Sequence, residues 1–236
     1  MLHHLHLPNI LFLDIETVSQ QSDFDSLSEE FKLLWDAKSG YFRKEDQSAS
    51  EVYQRAAIYA EFGKIVCISI GRIIIDGDDK RFRVKSFYGD DEKALLNDFA
   101  DLLHKQKSTA ILCAHNGKEF DFPYLSRRML INGVLLPHLL DNAGKRPWEI
   151  NLLDTMELWK FGDYKSYTSL RLLAAVFGIP TPKDDIDGSM VGEVYWNSHD
   201  LERIRTYCEK DVLTIAQLLL KFKGSNLISA DKVEIV

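Results

Sequence analysis

Three short apolar runs limit what this chain can become. Asn9–Val18 (NILFLDIETV), Lys64–Ile75 (KIVCISIGRIII) and Thr109–Ala114 (TAILCA) are rich in Ile, Val and Leu and are bounded by polar or turn residues. They read as buried strands. Asp76-Gly77-Asp78-Asp79 is turn chemistry, and the alternating stretch Arg81–Tyr88 closes a hairpin on the strand before it. Asp91–Lys105 carries Leu95, Leu96, Phe99, Leu102 and Leu103 on one helical face. Pro123–Asn132 reads as a helix stopped by Gly133, and Ile150–Leu153 as a short last strand after the polar loop Asp141–Trp148. Helices are predicted near Thr168–Phe177, Met190–Trp196 and Asp200–Phe222. A hairpin followed by alternating helices and strands makes an α/β sheet with helices on both faces. Gln20–Glu61 is polar, with Leu27, Phe31, Leu34 and Trp35 at helical spacing, and reads as a helical insertion at about 20–60 in one domain spanning 1–236.

Composition narrows the classes. Of 236 residues 45% are hydrophobic, which is ample for a core. No apolar stretch reaches the ~18–20 residues of a membrane span, and MLHHLHLPNILFLD lacks a basic leader region. Cys67, Cys113 and Cys208 show no CxxC spacing, which fits a reducing cytoplasm and no disulfide framework. Twenty-nine Lys and Arg against 36 Asp and Glu give a net charge of −7, without the basic footprint of a duplex binder. A nucleic acid would have to be gripped locally, through metal ions that invert the sign of an acidic site.

Three acidic clusters stand out. Asp14 and Glu16 lie two apart in an apolar strand, so both carboxylates share a face. Burying adjacent anions is costly unless one protonates, a basic partner is near, or a cation binds. The strand contains no Lys or Arg, and a divalent metal with oxygen ligands is the natural remedy. A strand that ends at Leu13, leaving both acids solvated, is the alternative. The second cluster, Asn116-Gly117-Lys118-Glu119-Phe120-Asp121, follows TAILCA at the carboxyl end of a strand, where open α/β sheets bind ligands. Asp121 sits near a helix start, where an N-cap and a metal role are compatible. The third is Tyr207-Cys208-Glu209-Lys210-Asp211; Tyr207 and Asp211 share a helix face with Ile204, Ile215 and Leu218, while Glu209 and Lys210 read as solvated.

In this order, D-x-E, N-x3-F-D and Y-x3-D resemble the three motifs of DEDD-superfamily 3′–5′ exonucleases of the DnaQ-like, ribonuclease H-like class. Tyr207, with Thr206 where the other branch has His, places the resemblance in the DEDDy branch. FGKIVCISIG, Asp185–Val191 (DIDGSMV) and YCEKDVL are similar to stand-alone exonucleases related to the proofreading domain of family-B DNA polymerases. The resemblance implies a ribonuclease H-like fold, a mixed sheet of about five strands with one antiparallel strand. It also implies hydrolysis from a free 3′ end with two divalent cations, Mg²⁺ or Mn²⁺. Carried over by motif, Asp14, Glu16, Asp121 and Asp211 are the metal carboxylates and Tyr207 the fifth catalytic residue. Thr17, Asn116 and Phe120 are expected around the terminal nucleotide. Lys118, Arg127, Arg128, Lys165, Lys183, Tyr164 and Tyr167 are available to a single strand but read mostly as solvated surface.

The expected partner is single-stranded nucleic acid, with DNA favoured and RNA open, alone or with a polymerase or repair protein in trans. A catalytically silent binding module is the rival from another class; loss of a carboxylate would have favoured it, and none is lost.

Overall fold

The computed structural model describes residues 2–236 except Asp78, Tyr164, Ser166 and 181–185. The readings of Asp78, Tyr164, Lys183 and Asp185 therefore lie outside the described residues. One sheet of six strands organises the molecule: β1 Ile10–Ser19, β2 Gly63–Asp76, β3 Asp79–Tyr88, β4 Ile111–Ala114, β5 Leu152–Asp154 and β6 Val233–Ile235, in the order β5-β4-β1-β2-β3-β6. β2 runs antiparallel to both neighbours and the remaining pairings are parallel. This is the mixed sheet with one antiparallel strand expected from the sequence. Its sixth strand comes from the tail, whose Glu234 is drawn to Arg81 and Arg83 on the edge of β3 (3.2 and 2.8 Å).

The helices are α1 Glu29–Ser39, α2 Glu92–His104, α3 Asp121–Ile131, α4 Thr155–Lys160, α5 Leu170–Val176, α6 Val191–Glu193 and α7 Leu201–Phe222. α4 is not among the helices predicted from the sequence, and a π-helical turn, Val194–Ser198, follows α6. Side chains alternate along β1. Leu11, Leu13 and Ile15 enter a core with Leu95, Leu96 and Phe99 of α2 and Leu125 and Met129 of α3. Ile10 and Phe12 enter a second core with Val212, Ile215 and Leu219 of α7. Helices thus cover both faces, and the two residue sets of one strand hold them there.

Gln20–Glu61 has a core of its own. Ser28 caps α1, and Trp35 is fully buried among Phe42, Tyr53, Tyr59 and Phe62, with its Nε1–H donated to Ala49 O at 2.9 Å. A 3-10 turn, Tyr53–Ile58, joins this unit to the sheet: Tyr124 Oη–H of α3 donates to Ala57 O at 2.8 Å. Gly63 must be glycine here, because a Cβ would stand 2.2 Å from Tyr124 Oη.

Two surface readings are corrected. Arg128 is 8% exposed and pairs with Glu92, which also accepts the Ile65 N–H at 2.7 Å. Glu209 is 6% exposed, accepting from Ser86 Oγ–H and from Arg205 Nη1, both at 2.8 Å. Each acid is buried because a donor from a distant segment meets it, which helical spacing does not reveal. Lys210 is partly buried.

Candidate active site

β1 supplies two carboxylates through the alternation that sets the core. Asp14 and Glu16 continue the face of Ile10 and Phe12, so they point toward α7. β4 pairs with β1 only as far as Phe12–Cys113, which opens that side of β1 just before Asp14. The chain leaving β4 turns at Asn116 (φ +63°), a conformation Asn tolerates. Gly117 follows, where a Cβ would lie 2.4 Å from that of Ala114. The turn delivers Asp121 into the opening as the first residue of α3, with the backbone N–H of Ile15 against its carboxylate. Asp121 is not the N-cap; that position is Phe120, which makes no side-chain capping bond.

α7 supplies the rest. Asp200 caps it by accepting the Arg203 N–H at 3.1 Å. One turn separates Tyr207 from Asp211, and the Tyr207 hydroxyl donates to the Asp211 carboxylate. Between them Cys208 donates to Asp14 O at 3.4 Å and lies 3.5 Å from Asp14 Oδ2. One ligand atom each from Asp14, Glu16 and Cys208 falls within 4.8 Å of the others.

The acids influence one another strongly. Burial, then Asp121 and Asp211, push the Asp14 carboxyl well up. Burial, then Asp14 and Asp211, do the same to Glu16. Burial, with Asp154 and Asp211 adding, pushes Asp121 up to about 7. Burial and three carboxylates raise Tyr207 so far that its phenol stays protonated, and it can serve as donor but not as base. Cys208 is raised by burial and remains a thiol. No Lys or Arg is a leading influence on Asp14, Glu16 or Asp121. Buried carboxylates of this kind, with Asp14, Glu16 and Asp121 pushed up chiefly by burial and by one another, offer the oxygen donors that a hard divalent ion takes. A protonated thiol is a poor ligand for such an ion, so Cys208 fits as a donor to Asp14.

The expected substrate residues meet different neighbours, although Thr17 and Phe120 both reach Tyr124. Thr17 lines a cavity of about 350 Å³ with Arg55 and Ile58 of the insertion and Gly188, Ser189 and Trp196 beside α6. Phe120 packs at 5.3 Å on Tyr124 and against the α2 core. Asn116 leaves its Oδ1 buried without a hydrogen-bond partner among the described residues. Asp154, which sequence reasoning passed over, fixes this turn. It is 3% exposed, caps α4, and accepts the N–H groups of Asn116 (2.9 Å) and Lys118 (3.1 Å). Its only signal is an Asp closing a short apolar run before a helix.

Residues 58–229 match the sequence model of a family described as predicted 3′–5′ exonucleases related to the exonuclease domain of PolB. The chain belongs to this family. The matched residues of the PolB-related exonuclease include Asp121, Tyr207 and Asp211 but stop short of β1, so Asp14 and Glu16 join the set through the fold. Among solved structures, the family-B DNA polymerase of the hyperthermophilic archaeon Pyrobaculum calidifontis matches at 19% identity with a TM-score of 0.50. The match covers 90% of this chain and 24% of the polymerase, so this chain spans about a quarter of that protein's length. The likeness is one of fold, the ribonuclease H-like fold of the PolB exonuclease. Nothing matches among curated proteins. No helix among the described residues is long and apolar enough to cross a membrane.

Proposed function

We propose that the chain removes nucleotides one at a time from the free 3′ end of single-stranded DNA, releasing nucleoside 5′-monophosphates, and that it folds as one exonuclease domain with 20–60 as an insertion. The observation that carries this is the meeting of carboxylates from β1, α3 and α7 at the open end of β4, where burial and neighbouring carboxylates, and no Lys or Arg, lead the upward push on Asp14, Glu16 and Asp121. Asp14, Glu16, Asp121 and Asp211 would hold two divalent cations, which when bound supply the positive charge needed by a water nucleophile and a departing oxyanion.

The side chains divide the remaining work. Tyr207, permanently protonated and anchored on Asp211, orients the attacking water by hydrogen bonding. Cys208 fixes the Asp14 carboxylate by its thiol contact. Asp154 holds the Asn116 turn, whose unpaired Oδ1 is available to the terminal sugar. The cavity behind Thr17 closes the path beyond the last nucleotide and gives 3′-end selectivity.

Exoribonuclease activity is the nearest alternative, because reading the 2′-OH depends on a few pocket contacts. Purified protein with Mn²⁺ should shorten 5′-labelled single-stranded DNA stepwise from its 3′ end, and faster than matched RNA. Faster loss of RNA would assign the chain to the alternative. Intact strands of both kinds would leave a binding module and end the enzymatic reading.

A further inference from the structure

The outer edge of the sheet carries an inference independent of the exonuclease reading. β6 covers only Phe82, Arg83 and Val84 of β3, and the ladder ends with Val236 N–H donating to Val84 O at 3.0 Å. Backbone groups of successive residues face opposite sides of a strand. Val84 O turns outward, and Gly89 N–H turns inward to Val66 O at 3.1 Å. The N–H and C=O groups of Ser86 and Tyr88 therefore turn outward too. Among the described residues nothing pairs with them.

Beside this edge runs a groove of about 820 Å³, walled by Lys85–Tyr88 on one side and by the outer face of α2 on the other. Asp98 and Asp101 line it from α2, and Asp90 and Asp91 close one end, against Lys85 and Lys105 as the Lys or Arg lining it among the described residues. Asp91 caps α2 and Asp90 accepts the Tyr195 hydroxyl, whereas Asp98 and Asp101 have no ion-pair partner among the described residues. The strand already seated on β3 shows how this edge selects an occupant. β6 combines a backbone ladder with a charge opposite to that of the edge, Glu234 facing Arg81 and Arg83. In the next stretch the strand still offers Lys85, but the facing wall of α2 supplies Asp98 and Asp101, so the acidic charge lies across the groove from the edge.

We propose that this groove receives an extended segment of a partner protein, added to the sheet as a strand on Ser86 and Tyr88, with Lys or Arg at every second position facing Asp98 and Asp101. Main-chain bonds would supply affinity, and the period-two side chains specificity. The acidic lining disfavours nucleic acid or an acidic segment at this place.

The test is fluorescence anisotropy of the full chain with a labelled peptide alternating Val and Lys. Two control peptides go with it, one with Glu for every Lys and one N-methylated at alternate amides. Saturable binding of the basic peptide is expected, weakened at least about tenfold by the double variant Asp98→Lys/Asp101→Lys and lost on N-methylation. Both substitutions are on exposed helix positions outside the nuclease site, so melting temperature and DNA cleavage should not change. Four results would overturn the proposal: no binding up to about 1 mM, equal binding by the double variant, equal binding of the N-methylated peptide, or a concentration-dependent dimer that occupies the edge with a second copy.

Discussion

Replacing Asp121 by Asn should make the metal-free protein more stable at high pH, although it removes a metal ligand. In the fold the Asp121 carboxyl is pushed from 3.8 up to about 7, with burial the largest cause. Ionising it in the metal-free fold therefore costs about 4 kcal/mol more than in the unfolded chain. Between these values the folded state binds more protons than the unfolded one, so stability is full at low pH and falls as pH rises through about 7. Asp14 and Glu16, also raised, act in the same direction. A chain of this size changes its melting temperature by about 2–4 °C per kcal/mol. With chelator at about pH 8, Asp121→Asn should melt roughly 8–16 °C above the parent, and the difference should shrink toward about pH 5. Mn²⁺ should reverse the order, because the parent gains binding energy that the variant has lost. Differential scanning fluorimetry across pH, with and without metal, measures all of this. A metal-free parent whose melting temperature is flat from about pH 5 to 8, or a variant less stable than it at pH 8, would refute the reasoning.

Other substitutions separate chemistry from scaffold. Tyr207→Phe should lower single-turnover cleavage about 10- to 100-fold, ~1.4–2.7 kcal/mol of barrier, while keeping the full Mn²⁺-induced thermal shift. Asp154→Ala removes the α4 cap and the acceptor for the Asn116 and Lys118 N–H groups. Urea unfolding should register a loss of about 2 kcal/mol, and KM for oligonucleotide should rise more than kcat falls. Glu92→Ala leaves the Arg128 guanidinium buried without its carboxylate and should destabilise by about 3–5 kcal/mol in the same assay, with cleavage by the folded fraction unchanged.

The sequence made the central geometry readable where a single element controls it. Period-two alternation places Asp14 and Glu16 on one face of β1, and a four-residue step places Tyr207 beside Asp211 on α7. Neither rule says that the faces meet. That depends on β4 ending opposite Phe12, which opens the side of β1 that Asp121 enters. Burial of Glu92, Arg128 and Glu209 stayed hidden because each is matched by a partner from another segment, and charged residues otherwise read as surface. Asp154 looks like an ordinary cap; its second task, holding a turn 38 residues earlier in the chain, exists only in three dimensions. The edge strand β6 is three residues in a polar tail, too short for alternation to register.

The most direct test of the account is anomalous diffraction from crystals of the protein grown with Mn²⁺ and a nucleoside 5′-monophosphate. Two manganese peaks are predicted, coordinated between them by Asp14, Glu16, Asp121 and Asp211, with the phosphate against them and the sugar toward Asn116. Crystals that show no manganese at these four carboxylates, with nucleotide bound elsewhere, would contradict it.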